Sequence, residues 1–210
     1  ERARREDQKA ERRNNILAIA RELCTEFGVM DWSLNELGRR ADVTKSNLYR
    51  YFGSREEILL VLMHDEMGWY AAEVTEKIGD TELSVSQLCT LLADTFARNS
   101  LLCDLLSVSA SILEQNVELE QIRDIKIAGL EHAQTVTQAI MRALGGLNED
   151  KAARIALAAG VIVTGLWPMA RPTAPLRQVA QFEGLESLAL DFRTELRQML
   201  EGLVRGTVEE

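Results

Sequence analysis

The sequence predicts an all-α protein, and three observations support that prediction. The three prolines, Pro168, Pro172 and Pro175, fall within one eight-residue window, so strong helix breakers are confined to one place in the 210 residues. The composition, 46% hydrophobic and 27% charged, is that of an ordinary globular chain and excludes disordered and fibrous proteins. Apolar residues recur at steps of three and four over most of the chain, which is the period of a helix face.

Four helices are predicted in the first 79 residues, and two of them are short. The first carries an apolar stripe and ends before Gly28, a residue suited to a left-handed C-cap. Each of the next three begins at a side chain that can cap a helix, namely Ser33, Thr44 and Ser54. Asp42 tolerates the positive φ that a tight turn between the short helices needs. The predicted spans are 5–27, 33–41, 45–52 and 54–79.

Five more helices are predicted in the rest of the chain, which gives nine in total. The sixth is apolar on most sides and is expected to be buried. Asn148 caps the eighth, the three prolines form a loop, and an apolar stripe from Leu185 to Leu203 marks the ninth. The predicted spans are 84–96, 101–114, 118–144, 148–167 and 185–203.

Charge is distributed unevenly along the chain. Residues 1–55 hold 12 Lys and Arg against 9 Asp and Glu, a net charge of +3, whereas the rest hold 12 against 24 and carry −12. A basic end on a protein of net charge −9 favours a polyanion as the partner of that end. The alternative is a merely solvated surface, so the charge needs a motif to support it.

The two short helices supply that motif. Short helices are marginal alone, and a sharp turn between two of them is the geometry that places the second helix in the DNA major groove. The first turn of that second helix contains Lys45, Ser46 and Asn47, whose side chains suit bases or phosphates. Leu48 and Phe52, four residues apart, are predicted to anchor it inward. The alternative is that these polar residues are only solvated.

Residues 33–55, SLNELGRRADVTKSNLYRYFGSR, resemble the signature of the TetR family of one-component transcriptional regulators. The resemblance covers about residues 12–62 and includes Leu48, Tyr49 and Phe52, followed by a basic residue at Arg55. Asp42 stands where the family usually has Gly, and Arg55 where it usually has Lys. The resemblance implies a nine-helix fold with a helix-turn-helix DNA-binding domain at 1–58 and an effector-binding and dimerisation domain at 59–210.

The same resemblance implies a function and a set of DNA contacts. The function is that of a homodimeric, ligand-responsive repressor that binds a palindromic operator and is released by a small molecule. Thr44 and Tyr49 would hold phosphates, the first turn of the reading helix would read bases, and Arg55 at a helix N-terminus would bind a phosphate. The expected DNA-contacting residues are Ser33, Asn35, Thr44, Lys45, Ser46, Asn47, Tyr49, Tyr51 and Arg55.

The eighth and ninth helices are expected to form the dimer interface. The eighth contains small residues that permit close helix approach, the ninth is amphipathic, and the family pairs two such helices from each subunit. The expected interface residues are Ala156, Ala159, Gly160, Val163, Leu188, Phe192 and Met199. The alternative is that both helices complete the core of one monomer.

A ligand cavity is expected among helices four to eight, with the fourth coupling it to the DNA-binding domain. The effector is expected to be mostly apolar or cationic, because no basic cluster marks this region. The candidates are Met63, Met67, Tyr70, Phe96, Cys103, Ser107, His132, Thr135, Thr164 and Trp167. For each of them the alternative is ordinary core packing.

Other functional classes find little support in the sequence. The three cysteines and two histidines have no metal-ligand or disulfide spacing, so buried reduced thiols and no metal or cofactor are expected. The nucleotide-loop and catalytic motifs GxGxxG, GxxxxGK[ST], GxSxG and HExxH are missing, so no enzyme is expected. No signal peptide is predicted, and the charge-free stretch 155–167 is shorter than the ~20 residues of a membrane span, so a cytoplasmic location is expected. The alternative function is a helical interaction or small-molecule-binding protein without DNA binding.

Overall fold

The computed structural model describes residues 2–109, 113 and 117–209, and over these residues the protein is helical and contains no strand, which confirms the predicted class. Ten α-helices occur in this part of the chain, one more than predicted. They are α1 Arg2–Phe27, α2 Leu34–Arg40, α3 Lys45–Leu48, α4 Arg55–Ile78, α5 Val85–Arg98, α6 Ser100–Ser109, α7 Leu119–Ala143, α8 Glu149–Ala170, α9 Ala174–Val179 and α10 Phe192–Glu209.

The predicted helix caps are confirmed. The side chains of Ser33, Thr44, Ser54 and Asn148 each accept a hydrogen bond from the backbone N–H three residues later, at 3.2, 3.3, 3.0 and 2.9 Å. Each such bond pairs a donor that the first turn of a helix otherwise leaves unpaired. Gly28 follows α1 at φ +94°, as the predicted C-cap requires.

The third helix is shorter than predicted. The α-helical part of α3 ends at Leu48, and the chain continues to Phe52 in hydrogen-bonded turns, such as Tyr51 N–H to the Leu48 carbonyl at 2.9 Å. Three-residue bonds of this kind tighten the end of a helix. The reading segment 45–52 is therefore one turn of α-helix followed by a tighter turn.

The C-terminal boundaries also differ from the prediction. Helix α8 continues through Pro168 to Ala170, because a proline near the last turn removes a single helical hydrogen bond. The expected proline loop contains α9, whose first turn accommodates Pro175. The last helix begins at Phe192 rather than Leu185, because Asp191 Oδ1 accepts from Thr194 N–H at 2.9 Å and so caps it there.

The buried side chains form two clusters that share two helices. The N-terminal cluster joins α1, α2, α3 and the first half of α4 to Leu105 of α6 and to Leu113. The C-terminal cluster joins the second half of α4 to α5, the first half of α6, α7, α8 and α10. Met67 and Leu106 pack against both clusters. Helix α6 therefore connects the two halves of the molecule alongside α4, the only connection that the sequence predicted.

Helix α8 is long and apolar enough to cross a bilayer by length and composition, unlike the shorter stretch predicted from the sequence. Of its most apolar window, 33% is buried inside the protein. Ala152, Ile155, Ala159 and Val163 face the C-terminal cluster, so core packing accounts for one face of this helix.

Candidate functional site

Helices α2 and α3 meet at a tight turn. Asp42 adopts φ +54°, the left-handed conformation predicted for it, and Val43 N–H donates to the Gly38 carbonyl at 2.9 Å. A Cβ added at Gly38 would lie 2.7 Å from the Val43 carbonyl oxygen. The absence of a side chain at Gly38 thus permits the close approach of the turn to α2, and this approach sets the position of α3.

The reading segment is anchored on one face and exposed on the other. Leu48 and Phe52 are 1% and 3% exposed and belong to the N-terminal cluster, as predicted. Lys45, Ser46 and Asn47 are exposed, and Tyr49 is 51% exposed. Apolar anchors and an exposed polar first turn are what a helix needs to enter the major groove.

The other expected DNA-contacting side chains mostly lie on the surface. Ser33, Asn35 and Thr44 are exposed, but the oxygens of Ser33 and Thr44 already cap α2 and α3. Tyr51 is half-buried and lines a cleft of about 990 Å³ between α1 and the end of the reading segment. The cleft is polar and contains Lys9, Arg12 and Arg50, which the sequence reasoning missed. The sequence features that could have indicated this basic cleft are the positive charge of residues 1–55 and the spacing of Lys9 and Arg12 on one side of α1.

Arg55, which was expected to bind a phosphate, makes hydrogen bonds within the protein. Its Nη1 donates to the carbonyl oxygens of Met30 and Trp32 at 3.0 and 2.9 Å, and the guanidinium lies 5.7 Å from the Trp32 ring centroid. The Arg55 side chain is 20% exposed. The two carbonyls follow α1, where no helical partner exists for them, so the guanidinium turns inward to hold the α1–α2 loop against α4.

Two further basic residues of α2 are held by carboxylates. Arg39 and Arg40 donate to Glu36, and Arg40 also donates to Glu26 of α1 at 2.6 Å. These hydrogen bonds lower the pKa of Glu36 to about 2. The ion pairs tie α1 to α2 and neutralise part of the basic charge that the sequence placed at this end.

A groove of about 780 Å³ runs between α4, α5, α6, α7 and α8. Five of the ten expected ligand residues line it: Met67, Tyr70, Phe96, His132 and Thr164. Most of the remaining lining side chains are apolar, and Lys126 and Glu149 are exposed. The groove has the concave, mainly apolar character of a small-molecule site.

The other five expected ligand residues do not line the groove. Met63 lies in the N-terminal cluster, and Thr135 is exposed, with its hydroxyl donating to the Glu131 carbonyl. Ser107 donates to the carbonyl of Cys103, and this bond directs its side chain along its own helix. These residues were expected to line a cavity because each shares a helix face with residues that do line the groove. The apolar face of a helix is wider than the part that borders the groove, so some of its residues pack elsewhere.

Cys103 and Trp167 pack within the C-terminal cluster instead. Cys103 Sγ lies 3.4 Å from the Phe96 carbonyl oxygen, and burial raises the pKa of its thiol to about 12. The Trp167 indole N–H donates to Asp104 at 2.7 Å, and its ring meets Phe192 edge to face at 4.6 Å. A buried indole needs such a partner, and here the partner turns the ring away from the groove.

The aromatic and histidine side chains of the groove form two pairs. Tyr70 and Phe96 stack with their ring centroids 4.1 Å apart. His132 Nε2 of α7 lies 3.0 Å from His64 Nε2 of α4, and Gly68 leaves room for the His132 ring. Burial and the neighbouring His64 lower the pKa of His132. His64 was not among the expected ligand residues, since nothing in the sequence around it indicates a partner 68 residues away.

The expected dimer residues divide into three groups. Ala159, Val163 and Phe192, which were expected at an interface, are 2%, 0% and 8% exposed and pack in the chain's own core, so in the single chain they face inward. Ala156 and Gly160 line the groove. Only Leu188 and Met199 are free for a partner, at 41% and 47% exposed.

Other apolar side chains of α8 are exposed and were missed. Leu157, Val161 and Met169 are 69%, 63% and 62% exposed. Leu157 and Val161 lie on the helix face opposite the buried small residues and line the groove, whereas Met169 lies near the C-terminal end of α8, to one side of that face. The signal for them was the continuous apolar character of α8, which exceeds what one core-facing stripe needs.

A carboxylate of α4 bridges the two halves of the molecule. Glu66 accepts from Arg21 Nε of α1 at 2.8 Å and from Asn99 Nδ2, just before α6, at 2.7 Å. Asn99 Oδ1 in turn accepts from Leu102 N–H at 2.9 Å. The Glu66 side chain is 12% exposed, so solvent screens these contacts little.

Two family models match the chain. The family described as "Bacterial regulatory proteins, tetR family" matches residues 16–62, and the one described as "Tetracyclin repressor-like, C-terminal domain" matches residues 64–210. Together they account for nearly all of the described helices.

Curated relatives are transcriptional regulators by name. The HTH-type transcriptional regulator BetI of Brucella anthropi is 22% identical over 157 residues, covering 74% of this chain and 79% of BetI. The HTH-type transcriptional regulator HbdR of Aromatoleum sp. is 29% identical over 79 residues, covering 38% of this chain and 34% of HbdR. The match to HbdR thus spans about a third of that protein.

Solved structures share the fold over nearly the whole chain. A TetR-family transcriptional regulator from Streptomyces coelicolor aligns with a TM-score of 0.57 and 20% identity, covering 93% of this chain and 99% of that one. FadR from Bacillus subtilis, solved in complex with stearoyl-CoA, aligns with a TM-score of 0.56 and 18% identity, covering 91% and 97%. At these identities the likeness concerns the fold.

Proposed function

This chain belongs to the TetR family of bacterial regulatory proteins, and from that premise we propose that it is a cytoplasmic, non-catalytic repressor that a small molecule releases from DNA. Residues 1–58 would bind a palindromic operator as part of a homodimer, and residues 59–210 would bind the effector and form the dimer. One observation carries the proposal. The reading segment presents an exposed polar turn, is anchored by buried apolar side chains, and directly precedes α4, the helix that lines the groove.

The DNA-binding step rests on Lys45, Ser46 and Asn47. Their side chains are exposed on the first turn of α3, where the helix N-terminus also favours phosphate. Tyr49 is exposed beside them and would contact the backbone. Contacts to base edges distinguish sequences, whereas contacts to phosphates do not.

Selection of an operator from a random DNA pool tests this step. Two inverted half-sites with centres about 10–10.5 bp or a multiple apart are expected of a symmetric helix-turn-helix dimer. Lys45→Ala should cost about 1–3 kcal/mol and relax one base position in each half-site. Lys77→Ala is the matched control, because Lys77 pairs with Glu73 far along α4. An unchanged consensus with Lys45→Ala would exclude that residue from base reading.

The dimer would form through the exposed apolar faces of α8 and α10. Leu157, Val161 and Met169 on α8 and Met199 on α10 are exposed in the single chain, and a second copy of the same chain would bury them. Leu157 and Val161 also line the groove, so the second copy would cover the groove on the α8 side. Val161→Glu should then give monomers by sedimentation with unchanged helix content. Ile127→Glu, at an exposed apolar residue of α7, is the control and should leave the dimer intact. A dimeric Val161→Glu protein would place the interface elsewhere.

The effector site would be the groove. Its lining is mainly apolar, which supports an apolar effector over a cationic one. The fold neighbour FadR is described in complex with stearoyl-CoA, a molecule with an apolar acyl chain. Among the described lining residues the acidic group is Glu149, which is exposed and accepts from Gln134 at 3.0 Å. A cation in the groove would therefore lack a buried carboxylate to pair with.

Coupling between effector and DNA would pass through α4 and α6. Met67 lines the groove and packs against both clusters, and Glu66 on the same helix holds Arg21 of α1. A ligand that displaces this part of α4 would move the reading segments. Such coupling is typically about 1–3 kcal/mol and is reciprocal, so an effector should bind the operator complex more weakly than the free protein. Calorimetry with and without operator measures this, and equal affinities would contradict it.

A further inference from the structure

The polar side chains that line the groove are nearly all paired within the protein. Thr137 and Thr164 donate their hydroxyls to the carbonyls four residues earlier, at 2.9 Å each. Ser109 donates to the Leu106 carbonyl, and His132 is paired with His64. These groups therefore have little hydrogen-bonding capacity left for a ligand.

Tyr70 is the exception among these lining residues. It is 7% exposed, and its hydroxyl is buried without a hydrogen-bond partner in the described structure. A buried hydroxyl without a partner costs about 1–3 kcal/mol, and a group of this kind calls for an explanation in a native protein. The ring stacks on Phe96, and the hydroxyl is closed to solvent, so an acceptor would reach it only when a lining side chain moves aside.

We propose that the Tyr70 hydroxyl is a specificity donor of the effector site and binds an uncharged acceptor, such as a carbonyl oxygen, on an otherwise apolar molecule. This inference rests on the proposed role of the groove as the effector site. The body of the molecule would lie against Phe96 and Met67, which line the groove beside Tyr70.

The acceptor is uncharged because the buried part of the groove supplies no cation. Among the described lining residues, the one with a lysine or arginine side chain is Lys126, and that side chain is exposed. A carboxylate held by one phenol donor would keep most of its desolvation cost, whereas a carbonyl oxygen is satisfied by one donor. Burial also holds the pKa of Tyr70 well above its usual value, so the phenol keeps its proton and donates.

Two fluorescent probes of matched shape test the proposal with the full chain. One is 6-propionyl-2-(dimethylamino)naphthalene, which has an apolar body and one ketone, and the other is 2-(dimethylamino)naphthalene, which lacks the ketone. Tyr70→Phe removes the hydroxyl and keeps the ring. Thr137→Val is the matched control, because it removes a hydroxyl of the same groove that is already paired.

The ketone probe should bind Tyr70→Phe about 2–13-fold more weakly than wild type, the range of one net hydrogen bond. Binding of the probe without the ketone should be unchanged, and Thr137→Val should affect the two probes equally. Equal losses on both probes with Tyr70→Phe would overturn the inference, as would failure of the ketone probe to bind wild type.

Thermal unfolding without any probe gives an independent result. Removing an unpartnered hydroxyl should leave the Tm of Tyr70→Phe unchanged or raise it. A lower Tm, or a variant that does not fold, would show that the hydroxyl has a structural partner and would overturn the inference. None of these measurements includes DNA, so their outcome does not depend on the repressor function. Failure of operator release in a separate DNA-binding assay would contradict the repressor function and leave this inference standing.

Discussion

Replacement of Gly38 by alanine tests how closely the turn between α2 and α3 approaches α2. The added Cβ would lie 2.7 Å from the Val43 carbonyl oxygen, whereas ordinary van der Waals contact begins at 3.4 Å. The turn must therefore move by about 0.7 Å. Val43 directly precedes Thr44, the cap of α3, so the displacement passes to the reading segment.

Two opposing contributions set the magnitude. Overpacking of this kind costs about 1–3 kcal/mol, while alanine in place of glycine in a helix gains about 0.8–1.0 kcal/mol. We expect the free energy of unfolding to fall by about 1 kcal/mol, which lowers the Tm by about 2–4 °C in a chain of this length. Operator affinity should fall about tenfold or more, because base contacts of about 1–3 kcal/mol depend on the position of α3.

Urea unfolding and fluorescence anisotropy with the selected operator measure the two effects. Gly129→Ala is the control, because a Cβ there meets Met67 at an ordinary 3.7 Å and α7 should simply gain helix propensity. If Gly38→Ala is as stable as Gly129→Ala and binds operator like wild type, the close approach does not limit this position and the reasoning is wrong.

Three further predictions follow from the site. Arg55→Ala should lower the free energy of unfolding by about 2 kcal/mol, since two carbonyls lose a charged donor; unchanged stability with a shallower salt dependence of DNA binding would restore the phosphate role. The pKa of His132 lies below its usual 6.5, so the unfolded chain takes up a proton at a higher pH than the native protein does. The free energy of unfolding should therefore be flat above pH 6.5 and fall as the pH drops below 6.5 through the lowered pKa. His132→Gln should reduce this loss of stability in urea titrations between pH 7.5 and 5.5. Burial raises the pKa of Cys89 and Cys103 to about 12 and also raises the pKa of Cys24. A disulfide reagent at pH 8 should therefore label these thiols quickly only in denaturant, and rapid labelling of the native protein would contradict their burial.

Local signals in the sequence predicted the helix starts well, because capping involves residues three positions apart. Ser33, Thr44, Ser54 and Asn148 all cap as expected. The reading segment was found for the same reason, since its anchors Leu48 and Phe52 are four residues apart. The start of the last helix was missed because the apolar stripe extends back beyond Asp191, the residue that caps it.

Contacts between distant residues were the part that the sequence did not reveal. Helical spacing shows that Ala159 and Val163 share a face of α8, but it does not show whether that face meets the same chain or another copy. Arg55 binds carbonyls 23 and 25 residues earlier, and His64 meets a ring 68 residues later. Such partners depend on how the helices pack, and a single sequence carries no record of that packing.

Because the N-terminal and C-terminal clusters share α4 and α6, the DNA-binding domain cannot be separated from the rest of the protein at residue 58 without exposing part of its core. A fragment that stops at residue 58 would lack Leu59, Leu62 and Met63, and also Leu105 and Leu113, all of which complete the N-terminal cluster. Its remaining apolar surface would face water, so the reading unit is not a portable module. A chimera that joins residues 1–58 to the effector region of a relative would fold only if the recipient supplies matching side chains on its own α4 and α6. Transfer of this chain's DNA specificity to a relative would therefore require grafting the reading segment alone, or carrying α4 and α6 with it.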